Sequence, residues 1–162
     1  MRMSLLPLLA CPVCGGDMKF AALDRFPRPE ADIRDGKLAC VSCKREYAVR
    51  EGIPRLRPPA AVPADADKTR ESFGWEWLRY PGSRDGDEAV FLEETMIPRE
   101  AFAGKLVLDA GCGMGRYSAV ALALGAEVVA VDMSDSLIRV AEAAASNPKL
   151  HPVEGDLLRP PL

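Results

Sequence analysis

No apolar run in this chain of 162 residues approaches the ~20 residues needed to span a bilayer, so no membrane-crossing helix is expected. A secretory signal is not legible either. Such a signal needs an apolar stretch of about 7–15 residues, and Leu5–Ala10 offers six, interrupted by Pro7. "LLAC" at Leu8–Cys11 has the form of a bacterial lipoprotein signal end, but Cys11 arrives too early for one. The expected compartment is therefore the cytoplasm. Histidine is nearly absent. His151 is the single one, and no partner is in view to build the constellation that a histidine base requires. Strong charge of one sign is also lacking, since the formal net charge is −3.

Hydrophobic residues at 48% and charged residues at 28% are ordinary for a globular protein. The charge is uneven along the chain. Residues 1–58 carry eleven Lys/Arg against seven Asp/Glu, and residues 59–162 carry ten against seventeen. A mildly basic module followed by an acidic one implies two units with different surfaces. The basic part is too mild to indicate nucleic acid as a partner.

Five cysteines are present, and four of them form two CxxC pairs, Cys11 with Cys14 and Cys40 with Cys43, separated by 25 residues. Zinc takes four ligands in a tetrahedron, and thiolate sulfur suits it. Two residues between cysteines let a tight turn aim both sulfurs at one ion. Gly15 and Gly16 after the first pair permit the close backbone approach such a knuckle needs. Two disulfides or four unrelated thiols are the alternatives, and disulfides are rare in a cytosolic chain. Cys11 thus reads as a metal ligand rather than a lipid anchor. With all four positions filled by protein, no place is open to water or substrate, so the zinc is expected to be structural. It would supply folding energy that so small a core lacks.

"LLACPVCGGDMKF" and "KLACVSCKREYAVREGIPRLRP" together resemble the small zinc-ribbon family that activates tRNA and protein methyltransferases. Tyr47, Glu51, Gly52, Ile53 and Pro54 fall in the places of that family's Tyr and its acidic-Gly-Ile-Pro turn. The resemblance covers residues 4–57 and implies a scaffold that docks a protein partner, not catalysis by the ribbon itself.

"RPPAAVPADAD", Arg57–Asp67, reads as an extended connector. Phe73, Trp75, Trp77 and Tyr80 follow. They read either as a cap over a ligand pocket or as an amphipathic helix packed into a core.

Lys105–Asp109 is a short apolar run with the length of a buried strand. A glycine loop, Ala110–Gly115, comes next. Arg116–Leu124 reads as a helix ended by Gly125, and Glu127–Val131 as a second buried strand closed by Asp132. This is a βαβ unit, so a parallel Rossmann-like arrangement is expected. A helix over "SDSLIRVAEAAASNP", with Ser134 as N-cap, and a third strand ending at Gly155-Asp156 continue the pattern.

The loop runs Gly111-Cys-Gly113-Met-Gly115-Arg116, with Asp109 before it and Asp132 21 residues beyond Gly111. A dinucleotide loop wants GxGxxG, and Arg116 stands at its third glycine. A carboxylate at Asp109 is also awkward beside a pyrophosphate and welcome beside an amino acid's ammonium group. The pattern DxGxGxG resembles class I S-adenosylmethionine-dependent methyltransferases, over residues 104–162. By that resemblance Asp109, Gly111 and Gly113 line the methionine part of the cofactor and Gly115 holds the loop-to-helix turn. Asp132 binds the ribose and Met133 packs on the adenine; an acidic residue of that family approaches the adenine amino group, for which Asp156 and Leu157 are the candidates here. Cys112 is either a reactive thiol or a small buried residue.

The fold class expected is α/β, a small β-rich zinc ribbon followed by the first half of a doubly wound methyltransferase sheet. The expected divisions are a ribbon at 1–58, a linker at 59–70, an aromatic helical lead-in at 71–103 and a partial cofactor-binding domain at 104–162. Three of the family's seven strands are legible, so the first strand is expected to be an unpaired apolar edge. The expected function is methyl transfer from S-adenosylmethionine to an unidentified acceptor, by a chain that is a catalytically incomplete piece of a longer enzyme. A non-catalytic adaptor docking on another methyltransferase is the alternative, and a nucleotide-dependent oxidoreductase is disfavoured by Asp109 and Arg116. No residue stands out as a general base.

Overall fold

The computed structural model describes residues 1–21, 32–58 and 85–162. The linker at 59–70 and the aromatics Phe73, Trp75, Trp77 and Tyr80 lie outside the described residues.

Four short strands build the N-terminal part: β1 (Met18–Phe20), β2 (Gly36–Cys40), β3 (Glu46–Arg50) and β4 (Ile53–Leu56), each antiparallel to the next. The β3–β4 connection explains the Glu51-Gly52 dipeptide. Arg50 pairs directly with Ile53, and Glu51 and Gly52 both have positive φ, 53° and 80°. That is the two-residue turn whose twist matches the flanking strands. A side chain at Gly52 would also lie 2.9 Å from the Met1 nitrogen.

The C-terminal part begins with helix α1 (Asp87–Thr95) and a 3-10 turn at Arg99–Phe102. It continues as β5 (Leu106–Ala110), α2 (Arg116–Ala123), β6 (Glu127–Asp132), α3 (Leu137–Ser146) and β7 (Leu150–Gly155). β5 and β7 both run parallel to β6, the βαβ arrangement expected from the sequence. Strand and helix bounds match the expectation to within a residue or two, except at α3. There the expected N-cap, Ser134, is not the cap. The helix begins at Leu137, two residues later than a Ser134 cap implies, with Ser136 at the cap position and no side-chain cap. The Ser134 hydroxyl is taken by the Ser136 hydroxyl at 2.6 Å, and its N–H donates to Asp132 Oδ1 at 2.7 Å. The first turn is thus diverted to the carboxylate before the helix starts.

One seven-stranded sheet runs through both parts, in the order β1-β2-β3-β4-β7-β6-β5. The ribbon's last strand, β4, lies parallel to β7, pairing Arg55 with Glu154 and Leu56 with Gly155. β6 is covered on both faces, and its residues 128–131 are all buried. That is why it reads as a continuous apolar run rather than an alternating one. On one face Val129, Val131 and Val153 pack with Leu5, Leu9, Leu38 and Val49 of the ribbon. On the other, Val128, Ala130, Leu150 and Ile53 pack with Phe91, Phe102, Ala121, Leu137 and Val140 from the helical side. β5 is the far edge, as expected, and leaves Leu106 and Leu108 about half exposed.

Leu5 sits fully buried in the 3-10 helix Met3–Leu8, in the cluster that joins the ribbon to β6 and β7. Leu5→Ala should cost about 2–5 kcal/mol. Because the cluster spans both parts, chemical denaturation should show ribbon and parallel sheet losing stability together. Two separate transitions, with only the ribbon's shifted, would contradict the shared core.

Candidate functional site

The four paired cysteines converge. Their sulfurs all lie within 4.8 Å of one another, with Cys11 to Cys43 at 3.7 Å and Cys14 to Cys40 at 3.5 Å. Those separations are far longer than a disulfide bond of about 2.05 Å. They suit the edge of a zinc–thiolate tetrahedron, about 3.8 Å for bonds of about 2.3 Å. All five cysteines are free thiols. Each knuckle is shaped by backbone turns: Gly15 donates to the Cys11 carbonyl at 2.8 Å, and Lys44 to the Cys40 carbonyl at 3.1 Å. Gly16 is required here, because a Cβ on it would lie 2.5 Å from Ser42 Oγ. Burial opposes ionisation of Cys11. The Tyr47 hydroxyl at 3.3 Å, the backbone around Val13 and Cys14, and the Cys43 thiol outweigh it, bringing Cys11 down to about 6. Burial, reinforced by Cys11, pushes the Tyr47 hydroxyl up, so it stays protonated as the donor. The donor set fits a structural zinc ion, and the residues that would hold it are Cys11, Cys14, Cys40 and Cys43.

The second constellation sits at the carboxyl ends of β5 and β6. Gly111, Gly113 and Gly115 all have positive φ, 81°, 54° and 87°. Gly115 closes the turn into α2, where a Cβ would come within 3.0 Å of Val140 Cγ2. A Cβ on Gly111 would lie 3.7 Å from Leu157 Cδ1, so the loop and the segment after β7 face each other closely. Asp132 holds the loop in shape: its Oδ2 accepts from the Gly113 N–H at 2.7 Å and its Oδ1 from Ser134. Asp109 accepts from the Ser118 hydroxyl at 2.6 Å. Burial raises the Asp109 pKa, against the Ser118 hydrogen bonds, and Asp132 adds to the rise. Two carboxylates therefore flank one glycine loop, and Asp109, whose charge burial disfavours, favours a cation as neighbour.

Asp156 closes a turn after β7, its carboxylate accepting the Leu158 N–H at 2.9 Å. Leu157 is about half exposed and Met133 partly buried. Cys112 is buried, and burial with Asp109 and Asp132 nearby pushes its thiol up, which removes the reactive-thiol alternative. His151 is buried in β7 with Nε2 2.8 Å from Glu127 Oε1, away from the loop. Two positioning residues escaped the sequence reading. Ser118 lies one turn into α2 and reaches back to Asp109, which the helical i+3 offset from Gly115 signals only once the loop's shape is known. Arg116, noted only as a departure from the dinucleotide pattern, donates through Nε to Asp87 Oδ1 at 2.8 Å and ties α1 to the loop.

Comparison with known proteins finds a family match for each of two segments. Residues 107–162 match the methyltransferase domain family, and residues 3–52 the Trm112p-like protein family. The chain is 34% identical over 94 residues to ribosomal RNA small subunit methyltransferase A of Synechococcus sp. (strain JA-3-3Ab), covering 57% of this chain and 32% of that protein. It is 40% identical over 77 residues to the mitochondrial ubiquinone biosynthesis O-methyltransferase of Schizosaccharomyces pombe, covering 44% of this chain and 27% of that one. Against ribosomal RNA small subunit methyltransferase H of Rhizobium etli it is 44% identical over 54 residues, 33% of this chain and 16% of that protein. The chain thus spans a third or less of the length of these relatives.

Because zinc binds thiolates, protons compete with it and acid should release it. Zinc content, measured colorimetrically, should be about one per chain at neutral pH and fall as the medium is acidified. Cys40→Ser should abolish stoichiometric zinc and unfold the ribbon by circular dichroism. Retention of full zinc by that variant would contradict the four-thiolate site.

Proposed function

We propose that this chain, which joins a Trm112p-like segment to a methyltransferase domain, is an S-adenosylmethionine-dependent methyltransferase with a structural zinc ribbon. The observation that carries the reading is the pair of carboxylates, Asp109 and Asp132, on either side of a loop of three positive-φ glycines. S-adenosylmethionine supplies an electrophilic methyl group on a sulfonium sulfur.

The chain's own residues divide the binding. Asp109, with Gly111 and Gly113, faces the methionine end, where an ammonium group offsets the carboxylate's burial. Asp132 keeps acceptor capacity for the ribose hydroxyls beyond its two backbone hydrogen bonds. Met133 and Leu157 form apolar walls for the adenine, and Asp156 accepts from its amino group. Gly115 with Ser118 keeps the loop close to α2. Positioning of this kind supplies a large part of the rate in an in-line transfer. No residue among those described is assigned as a general base. Thiolates held for zinc suit a reducing compartment, so the protein works in the cytoplasm; no described helix is long and apolar enough to cross a membrane. The relatives' names span ribosomal RNA and ubiquinone biosynthesis, so no acceptor is carried over from them.

The adaptor reading is less well supported. β4, the ribbon strand that meets the parallel sheet, already has a neighbour on each side within this chain. Docking by the ribbon is therefore exercised on its own methyltransferase domain.

Calorimetric titration with S-adenosylmethionine tests the proposal. Saturable binding is expected, and Asp109→Asn should weaken it by about 1.5–3 kcal/mol, the worth of a hydrogen bond to a charged group, or roughly 10–150-fold. The pH dependence has a definite sign. A cation binds the ionised form of Asp109, so affinity falls as pH drops through its pKa. Because that pKa is raised by burial, the fall should begin at higher pH than for an exposed Asp near about 3.9. Absence of binding, or binding unaltered in Asp109→Asn, would sink the proposal.

A further inference from the structure

Accessibility divides the four clustered cysteines in two. Cys14 and Cys43 are exposed, and Cys11 and Cys40 are buried. Two close sulfur contacts each join an exposed sulfur to a buried one, Cys14 to Cys40 at 3.5 Å and Cys43 to Cys11 at 3.7 Å. Both contacts cross from one knuckle to the other, and neither runs within a CxxC.

Backbone pairing also holds the knuckles side by side. The β1–β2 ladder ends with Met18 paired to Cys40. Next to it, the Val41 N–H donates to the Asp17 carbonyl at 2.8 Å. Asp17 in turn bridges to Ala10, the residue before Cys11. A Cβ on Gly16 would lie 3.1 Å from Cys40 Sγ, so the backbone leaving the first knuckle rests close to the second knuckle's buried sulfur. Strand pairing thus keeps the facing sulfurs together, and a bonding distance of about 2.05 Å is only about 1.5 Å away.

Thiolates are the nucleophiles of sulfur oxidation, and cysteines that ligate zinc do so as thiolates. A solvent-accessible thiolate beside a second, sheltered sulfur is the arrangement that ends in a disulfide. Here the exposed sulfur meets the oxidant, and the buried one resolves the product. We infer that Cys14 with Cys40, and Cys43 with Cys11, form a reversible oxidation site for hydroperoxides, in which two cross-knuckle disulfides replace zinc as the staple of the ribbon. The inference rests on the zinc reading of the four cysteines and is independent of the methyltransferase reading.

The step balances with hydrogen peroxide as oxidant. The Cys14 thiolate attacks one peroxide oxygen, the O–O bond breaks, a sulfenic acid forms on Cys14 and hydroxide leaves. The Cys40 thiolate attacks that sulfur, the S–S bond forms, the S–O bond breaks and a second hydroxide leaves. Each sulfur gives up one electron, and both peroxide oxygens end as water once protonated. Cys43 and Cys11 repeat the step with a second peroxide. Disulfide sulfurs carry no charge, so the metal loses its ligands. The new bonds link residues 26 and 32 apart, and loops of that size constrain the unfolded chain more than a loop closed within one CxxC. The ribbon therefore keeps its fold, and β4 its place beside β7. Bonds within each CxxC would instead leave the knuckles unjoined.

The test adds hydrogen peroxide stepwise to the full zinc-loaded chain beside a zinc-sensitive dye. Release of about one zinc per chain is expected, complete at about two peroxides per chain. Thiols counted after unfolding should fall until Cys112 alone remains of the five. Trypsin decides the pairing, since it cuts after Arg2, Lys19, Lys37 and Lys44. Segments 3–19 and 38–44 should appear in mass spectrometry as one linked species without reductant and as two with it. The far-ultraviolet circular dichroism should be unchanged by oxidation, and dithiothreitol with zinc should restore the starting mass and metal content. The inference is overturned if each segment closes on itself, if the sulfurs pass to sulfinic or sulfonic acid without a link, or if zinc stays bound while Cys112 is oxidised. It is equally overturned if the linked chain loses its strand signal. A chain that takes up no zinc yet forms the linked species would overturn the zinc reading and leave the pairing standing.

Discussion

Two residue pairs, Arg55 with Glu154 and Leu56 with Gly155, join the cysteine-bearing ribbon to the parallel sheet, and much of the structure's order depends on that junction. Without it β7 would present an open edge flanked by apolar faces, a template for aggregation. With it, β7 gains a neighbour, and the ribbon's leucines cover the face of β6 and β7 that the helices do not. The junction also sets the local electrostatics. Glu154 is nearly buried, and a buried carboxylate needs cationic or hydrogen-bonded partners. Arg55 and Arg57 both supply that role from the ribbon side. A glycine completes the joint: a Cβ on Gly155 would lie 2.7 Å from Pro161 Cγ. The tail after β7 therefore folds over it, and the Pro161 carbonyl accepts the Ala10 N–H at 2.9 Å, next to the first zinc knuckle.

This arrangement links the cysteine cluster to the glycine loop mechanically. Four cysteine sulfurs within 4.8 Å of one another bring the two knuckles together, the knuckles adjoin the ribbon hairpins, and β4 carries that order into β7. From the end of β7 comes Leu157, whose Cδ1 would lie 3.7 Å from a Cβ on Gly111 of the glycine loop. The cradle itself is held from the other side by Asp132, whose two oxygens accept the Gly113 and Ser134 N–H groups. Asp109 is less comfortable, since burial disfavours its charge. A site that holds its shape while leaving one carboxylate short of a cation is suited to a positively charged ligand.

What could be read ahead of the structure was local. A CxxC pair, a Glu-Gly hairpin turn and a glycine loop between strand-like runs each act over a few residues. Short-range geometry allows few alternatives there, so the residue types announce themselves. The α3 cap was misread for a related reason. Ser134 is a good cap by type, but Asp132, two residues earlier, competes for its N–H, and that carboxylate's orientation is a tertiary matter. Ser118 and Arg116 lay in plain view without their partners, which are 9 and 29 residues away.

The sequence by itself determined the pairing of four cysteines that converge, the alternation of strand and helix from Lys105 onward, and a glycine loop with a carboxylate before it and another after the next strand. These follow from stereochemistry and ligand chemistry that operate within one turn or one loop. Only the tertiary structure decided that ribbon and parallel sheet are one sheet and that Arg55 meets Glu154 across 99 residues. Long-range pairing depends on which edges and faces remain uncovered after the local elements form, and no short pattern in the chain records that.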